Sequence, residues 1–103
     1  MTLVVYEPET PAMEFIGHAL AGPPGGDPVC AALSILMYTL IAALPAPRVR
    51  SGEGYCRVEG SEKADSGAYG FALTGIRLLA ENYPQNVRLA EKRLPGRGKE
   101  ERP

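Results

Sequence analysis

Asp27-Pro28-Val29-Cys30-Ala31-Ala32-Leu33-Ser34-Ile35-Leu36-Met37-Tyr38-Thr39-Leu40-Ile41-Ala42-Ala43-Leu44-Pro45 is the stretch on which the fold turns. Asp27 suits an N-cap, because its carboxylate can accept the N–H groups that the first helical turn leaves unpaired. Pro28 suits the first helical position, where a missing N–H costs nothing. Val29, Leu33, Leu36, Met37, Leu40, Ile41 and Leu44 recur three and four apart and form a wide apolar face. Ala31, Ala32, Ala42 and Ala43 are strong helix formers, and Pro45 and Pro47 end the run. The reading is a helix of about four turns, buried against a sheet with little of its surface left to solvent.

Upstream, Leu3 to Tyr6 and Met13 to Ile16 are β-prone runs separated by a turn from Pro8 to Pro11, which together read as a hairpin. A loop over residues 19–26 follows, rich in glycine and proline. Downstream, Arg48 to Arg50 reads as a short strand, Ser51-Gly52-Glu53-Gly54 as a turn, and residues 55–59 as another strand. Residues 60–70 are rich in Gly, Ser and charge and read as a loop. A second helix is expected over Phe71 to Asn82, with Leu73, Ile76, Leu79, Ala80 and Tyr83 on its apolar side and Pro84 closing it. Val87-Arg88-Leu89 adds an edge strand. The fold class is therefore α+β, in two layers, with a small mostly antiparallel sheet packed against two helices. Residues 1–94 read as a single domain, and residues 95–103 as a polar, disordered tail.

Composition narrows the function. The chain has 103 residues, eleven basic and twelve acidic, for a net charge of −1, so nothing recommends a nucleic-acid or anionic-membrane partner. Basic residues gather towards the end, from Arg88 to Arg102, as a solvated terminus would. The start of the chain does not read as a signal peptide, and the Val29–Leu44 run is shorter than a bilayer requires. The expectation is a cytoplasmic protein with free thiols. No metal or cofactor is expected, since one His and two Cys at positions 18, 30 and 56 match no structural zinc spacing. A core this small gains from a partner, so a homodimer is expected.

The chemistry lies across the glycine-rich loop. Cys30 falls on the third helical residue, where the positive end of the helix favours a thiolate, the reactive form of cysteine. His18, the only histidine, stands on the far side of a loop long enough to turn back. A Cys30–His18 pair is the usual arrangement of a nucleophile and its base, with unpaired helix N–H groups expected to receive the oxyanion. Asp27 has two possible jobs, as the cap and as an orienter of the imidazole. Ser34 follows Cys30 by one turn and shares its face. Gly17 keeps bulk away from His18. Cys56 sits inside a strand and reads as a small core filler. Three classes of function remain open: peptide hydrolysis by a Cys–His dyad, peptide binding without catalysis, and a structural dimer in which Cys30 is simply buried.

Gly17-His18-Ala19, a glycine-rich gap, and then Asp27-Pro28-Val29-Cys30-Ala31-Ala32-Leu33-Ser34 resemble the ribosomal-processing cysteine protease Prp family of bacteria. The resemblance covers residues 1 to about 90, and Gly75-Ile76-Arg77-Leu78-Leu79-Ala80-Glu81-Asn82-Tyr83-Pro84 resembles that family's closing helix. It implies that His18 and Cys30 are catalytic and that Asp27 and Ser34 accompany them. It further implies a small homodimer that removes a short N-terminal extension, with an aromatic-containing cleavage region, from a precursor of a large-subunit ribosomal protein. The chain departs from the family's pattern at Pro28, at Pro23-Pro24 and in the 60–70 loop. These departures bear on the substrate. A ribosome-associated binding module of the same fold, or a protease for a phage capsid precursor, are the alternatives.

Overall fold

The computed structural model describes residues 1–20, 22, 23, 25–60 and 66–93. Seven elements follow in chain order: β1 (Thr2–Glu7), β2 (Ala12–Ile16), α1 (Pro28–Ala43), β3 (Arg48–Gly52), β4 (Tyr55–Glu59), α2 (Ser66–Asn82) and β5 (Val87–Glu91). The five strands form one sheet in the order β3-β4-β2-β1-β5. Three of the pairings are antiparallel and the fourth, β1 with β5, is parallel. This is the two-layer α+β arrangement expected from the sequence.

Alternation along the strands decides which face carries the core. Val4, Met13, Phe15, Cys56 and Val58 point to the helical side and join Val29, Leu33, Leu40, Tyr69, Leu73 and Ile76 in one buried cluster. Each fully buried aliphatic side chain of this kind contributes about 1.5–3 kcal/mol. The opposite face carries Glu7, Glu14, Arg57 and Glu59, with the Arg57 guanidinium 2.8 Å from Glu7 and from Glu59 and 3.4 Å from Glu14.

Four expectations need correction. The helix α1 is not enclosed: Val29, Leu33 and Leu40 are buried, but Ile35 and Tyr38 are each 61 % exposed. An all-round apolar composition conceals which side meets the sheet. The helix α2 begins at Ser66, five residues before the expected Phe71. Tyr69 accounts for this: its ring is buried against Tyr6, and its hydroxyl reaches the carbonyls of Pro11 and Val58, at 3.3 and 3.2 Å. Tertiary anchoring of this kind overrides the low helix propensity of Gly67 and Gly70. Tyr83 lies beyond α2 and is 43 % exposed, outside the apolar face. The strand β3 also runs through Ser51 and Gly52, leaving Glu53 and Gly54 as the turn. Residues 61–65 of the expected 60–70 loop, and the tail over 95–103, lie outside the described residues, while residues 66–70 belong to α2.

The register gathers one end of the sheet. Thr2 starts β1 beside Val87 of β5, while Ile16 ends β2 opposite Tyr55 of β4. The segments just outside the strands therefore meet at this end: Gly17-His18-Ala19, the Glu53-Gly54 turn and Asn86, with the start of α1 brought alongside. Among the described residues, no helix is long and apolar enough to cross a membrane.

Candidate active site

At that gathered end, Asp27 caps α1 as its sequence position suggests. Its Oδ1 accepts the N–H groups of Val29 and Cys30 at 2.9 and 3.0 Å, and its carbonyl accepts Ala31 N–H at 3.0 Å. A cap of this type stabilises a helix by about 1 kcal/mol. Here it has a second consequence. Pro28 has no N–H, so every donor of the first turn is already committed. The expectation that helix N–H groups receive the oxyanion is corrected: Asp27 holds them all.

The thiol of Cys30 projects from this turn. Its Sγ accepts a hydrogen bond from Ala19 N–H at 3.4 Å, a contact across the glycine-rich loop. His18 is the neighbour of Ala19, so the contact brings the histidine segment against the sulfur. The two cysteines are free thiols, Cys30 half-buried and Cys56 buried.

A cavity of about 230 Å³ opens here, with Gly17, His18, Cys30 and Ser34 in its wall together with the apolar side chains of Phe15, Leu33 and Met37. On the other side of His18 and Cys30, a wider depression of about 500 Å³ is bordered by Leu20, Pro23, Asp27 and Glu53. The two hollows share His18 and Cys30, which is the arrangement an extended chain passing over both residues would need. Of the sequence-selected residues, His18, Cys30, Ser34 and Gly17 meet in the first hollow, and Asp27 lies in the second. Cys56 also reaches the first hollow. Among the described residues, no group of three or more His, Cys, Asp or Glu side chains is placed to hold a metal ion.

Several groups at this end carry no sequence signal. Gly54 has φ +64° and presents bare backbone to the imidazole: a Cβ there would lie 3.3 Å from His18 Nε2. Its carbonyl accepts Gly17 N–H at 2.8 Å. Asn86 donates from Nδ2 to the carbonyl of Ala19 at 2.8 Å. Sixty-seven positions separate those two residues, and no spacing rule links them.

Gly17 itself is required by geometry. Its φ is +89°, and a Cβ would lie 2.6 Å from the carbonyl oxygen of Met1. Gly17→Ala is expected to cost about 1–3 kcal/mol through backbone strain and the forced shift of β1. Thermal unfolding followed by circular dichroism measures it, and an unchanged melting temperature would contradict the account.

The relatives agree with this architecture. A ribosomal processing protease Prp from S. aureus, with a covalently linked product peptide, superposes at TM-score 0.79 with 21% identity, covering 89% of this chain and 100% of that one. The same protease with a substrate peptide gives TM-score 0.69 at 20% identity, over 88% and 97% of the two chains. SMU.848 from Streptococcus mutans gives TM-score 0.68 at 27% identity, over 90% and 93%. No curated protein matches the chain significantly. The family model described as "Cysteine protease Prp" matches residues 3–88, from β1 into β5, and includes Gly17, His18, Asp27, Cys30 and Ser34. By that match the chain belongs to the Prp family of cysteine proteases.

Proposed function

We propose that this chain is an endopeptidase in which Cys30 is the nucleophile and His18 its base, and that it removes a short N-terminal extension from a large-subunit ribosomal protein in the cytoplasm. The observation that carries the reading is the Ala19 N–H contact to Cys30 Sγ, which sets the sulfur beside the histidine segment between two hollows. The S. aureus relatives, described as ribosomal processing proteases holding substrate and product peptides, support the choice of substrate.

In this reading His18 takes the proton of Cys30, and the thiolate adds to the scissile carbonyl. The carbonyl π pair moves onto oxygen. As that pair returns, the C–N bond breaks and the leaving amine takes the proton from His18. A water then gives a proton to His18 as its oxygen adds to the thioester carbon; the C–S bond breaks, the acid leaves, and the sulfur takes the proton back from His18. The first hollow, with Phe15, Leu33 and Met37, suits an apolar or aromatic substrate side chain. Tyr55 lines the same hollow and Tyr38 does not.

The test is cleavage of a synthetic peptide spanning the N-terminal extension of the host's large-subunit ribosomal protein, read by mass spectrometry. A phage capsid precursor peptide runs beside it. Cleavage of the first supports the reading, cleavage of only the second reassigns the substrate, and cleavage of neither favours the binding module.

Two further results are expected. Iodoacetamide labels Cys30 about tenfold faster than Cys56 in the native protein, because reactivity follows thiolate character and access. Cys56 is only 7% exposed, and burial pushes its thiol up from the ordinary value. Site-resolved labelling checks this, and equal rates would sink the choice of nucleophile.

The second result concerns assembly. Between α1 and α2 runs an apolar groove that includes Ile35, Leu36 and Phe71, and Phe71 is 77% exposed. Large exposed apolar patches mark interaction surfaces, and in this reading a second copy of the chain covers the patch. Sedimentation is expected to give a dimer of the 11.0 kDa chain, and Phe71→Asp a monomer. A monomeric wild type at micromolar concentration would contradict it.

A further inference from the structure

We propose that Ala19 N–H is the donor that follows the negative charge from sulfur to the oxyanion, and that Asn86 is the residue that positions it. The proposal rests on the Cys30–His18 reading above. Oxyanion donors must be preorganised, since their value lies in needing no rearrangement during the reaction. The first turn of α1 offers none, because Asp27 occupies Val29 N–H, Cys30 N–H and Ala31 N–H.

Ala19 N–H already points at the reacting atom, 3.4 Å from Cys30 Sγ. Once sulfur has bonded to the scissile carbon, the oxyanion lies one bond beyond that carbon, within reach of the same N–H. One donor then serves the thiolate before attack and the oxygen after it.

Ala19 is only 1% exposed, and Asn86 is what fixes it. Asn86 Nδ2 donates to Ala19 O at 2.8 Å. The backbone of Asn86 is itself pinned: its N–H donates to Tyr83 O at 2.9 Å, and its carbonyl accepts Thr2 N–H at 2.8 Å. Thr2 in turn donates from Oγ1 to Gly17 O at 3.3 Å. Both neighbours of His18 are thus tied to Asn86, Ala19 directly and Gly17 through Thr2. Immediately beyond, Leu20 turns the chain with φ +60°, so the clamp ends where the loop begins.

The experiment compares wild type with Asn86→Ala and Asn86→Asp, the latter of equal size but lacking the donor. Five quantities are read: kcat and KM on the cleaved peptide, affinity for a peptide aldehyde, affinity for the product peptide, and the Cys30 alkylation rate at pH 7. The aldehyde forms a hemithioacetal with Cys30 and so places an oxygen where the oxyanion forms. Loss of one positioned donor predicts a fall in kcat of about tenfold or more, with KM within about twofold. Aldehyde affinity and alkylation fall with kcat, while product affinity does not move.

A folded variant with kcat and alkylation unchanged overturns the proposal, as does product affinity falling as far as aldehyde affinity. Thr2→Val, which keeps the strand and its N–H but removes the hydroxyl, decides the case if both Asn86 variants unfold. There a fall in kcat and alkylation of about threefold is expected from one lost hydrogen bond, and no fall overturns the proposal. Cleavage by wild type and not by Cys30→Ala keeps the functional reading intact whatever Asn86 does. If wild type cuts no peptide, that reading fails, and the alkylation rates alone decide the role of Asn86.

Discussion

Cys30→Ala is expected to stop peptide cleavage while leaving the fold standing. The sulfur is the atom that bonds to the substrate carbonyl in the proposed reaction, and nothing at the site replaces it. Ser34 lies one turn further along the helix, and a hydroxyl is a far weaker acid than a thiol. The loss is roughly a thousandfold or more, the scale on which nucleophile deletions act. Folding is spared because Cys30 is half-buried and the cap that builds its turn belongs to Asp27. His18→Ala is expected to give a loss of the same order, and its side chain is solvent-exposed, so the core does not depend on it. Product masses report the activity, and far-ultraviolet circular dichroism reports the fold. Retained cleavage in Cys30→Ala would refute the mechanism.

The largest stability effect is expected from Arg57→Ala, on the other face of the sheet. The Arg57 side chain is 13% exposed, and it holds Glu7, Glu14 and Glu59 within 3.4 Å or less. Removing this cation strands partly buried carboxylates, with the exposed Arg48 3.9 Å from Glu59 too solvated to replace it, and costs about 3–5 kcal/mol. Domains of this size are stable by about 5–15 kcal/mol in all, so the variant sits near the edge of folding. Urea denaturation at pH 7 measures the change, and a loss below about 1 kcal/mol, the scale of a surface pair, would contradict it.

The pH dependence carries a definite sign. The hydrogen bonds from Arg57 hold the Glu7 carboxyl below the ordinary value of 4.5. A depressed carboxyl adds stability above its unfolded value and loses it as pH falls through the folded one. Wild type therefore weakens in acid below about pH 4.5. In Arg57→Ala the carboxylates repel one another, so protonation relieves the defect and the gap to wild type narrows in acid.

Local signals in the sequence were the reliable ones. Asp27-Pro28 and Pro45 bracket α1 to within a residue or two, because capping and proline sterics act over single turns. The hairpin of β1 and β2 and the edge strand β5 were legible from β-prone runs and intervening prolines. The start of α2 was hidden because Gly67 and Gly70 read as loop, while Tyr69 is held by carbonyls 58 and 11 positions away. His18 and Cys30 stood out by residue type and spacing. Asn86 did not, because its partner at Ala19 becomes its neighbour only through the β1–β5 pairing. The commitment of Asp27 to two N–H groups was equally hidden, since a cap residue in sequence does not reveal how many donors it takes.

The pairing of Thr2 with Val87 also has a meaning in time. The first strand of the chain waits for the last one before the sheet is complete. His18 and Cys30 leave the ribosome first, and the residue that clamps Ala19 is made sixty-seven positions after it. A nascent or truncated chain stopping short of residue 86 contains both reactive side chains and lacks the clamp. Contacts of such long sequence separation also form slowly. On the proposed role of Asn86, proteolytic competence waits for the closing of β5 onto β1, and a chain that has not reached residue 86 is a silent one.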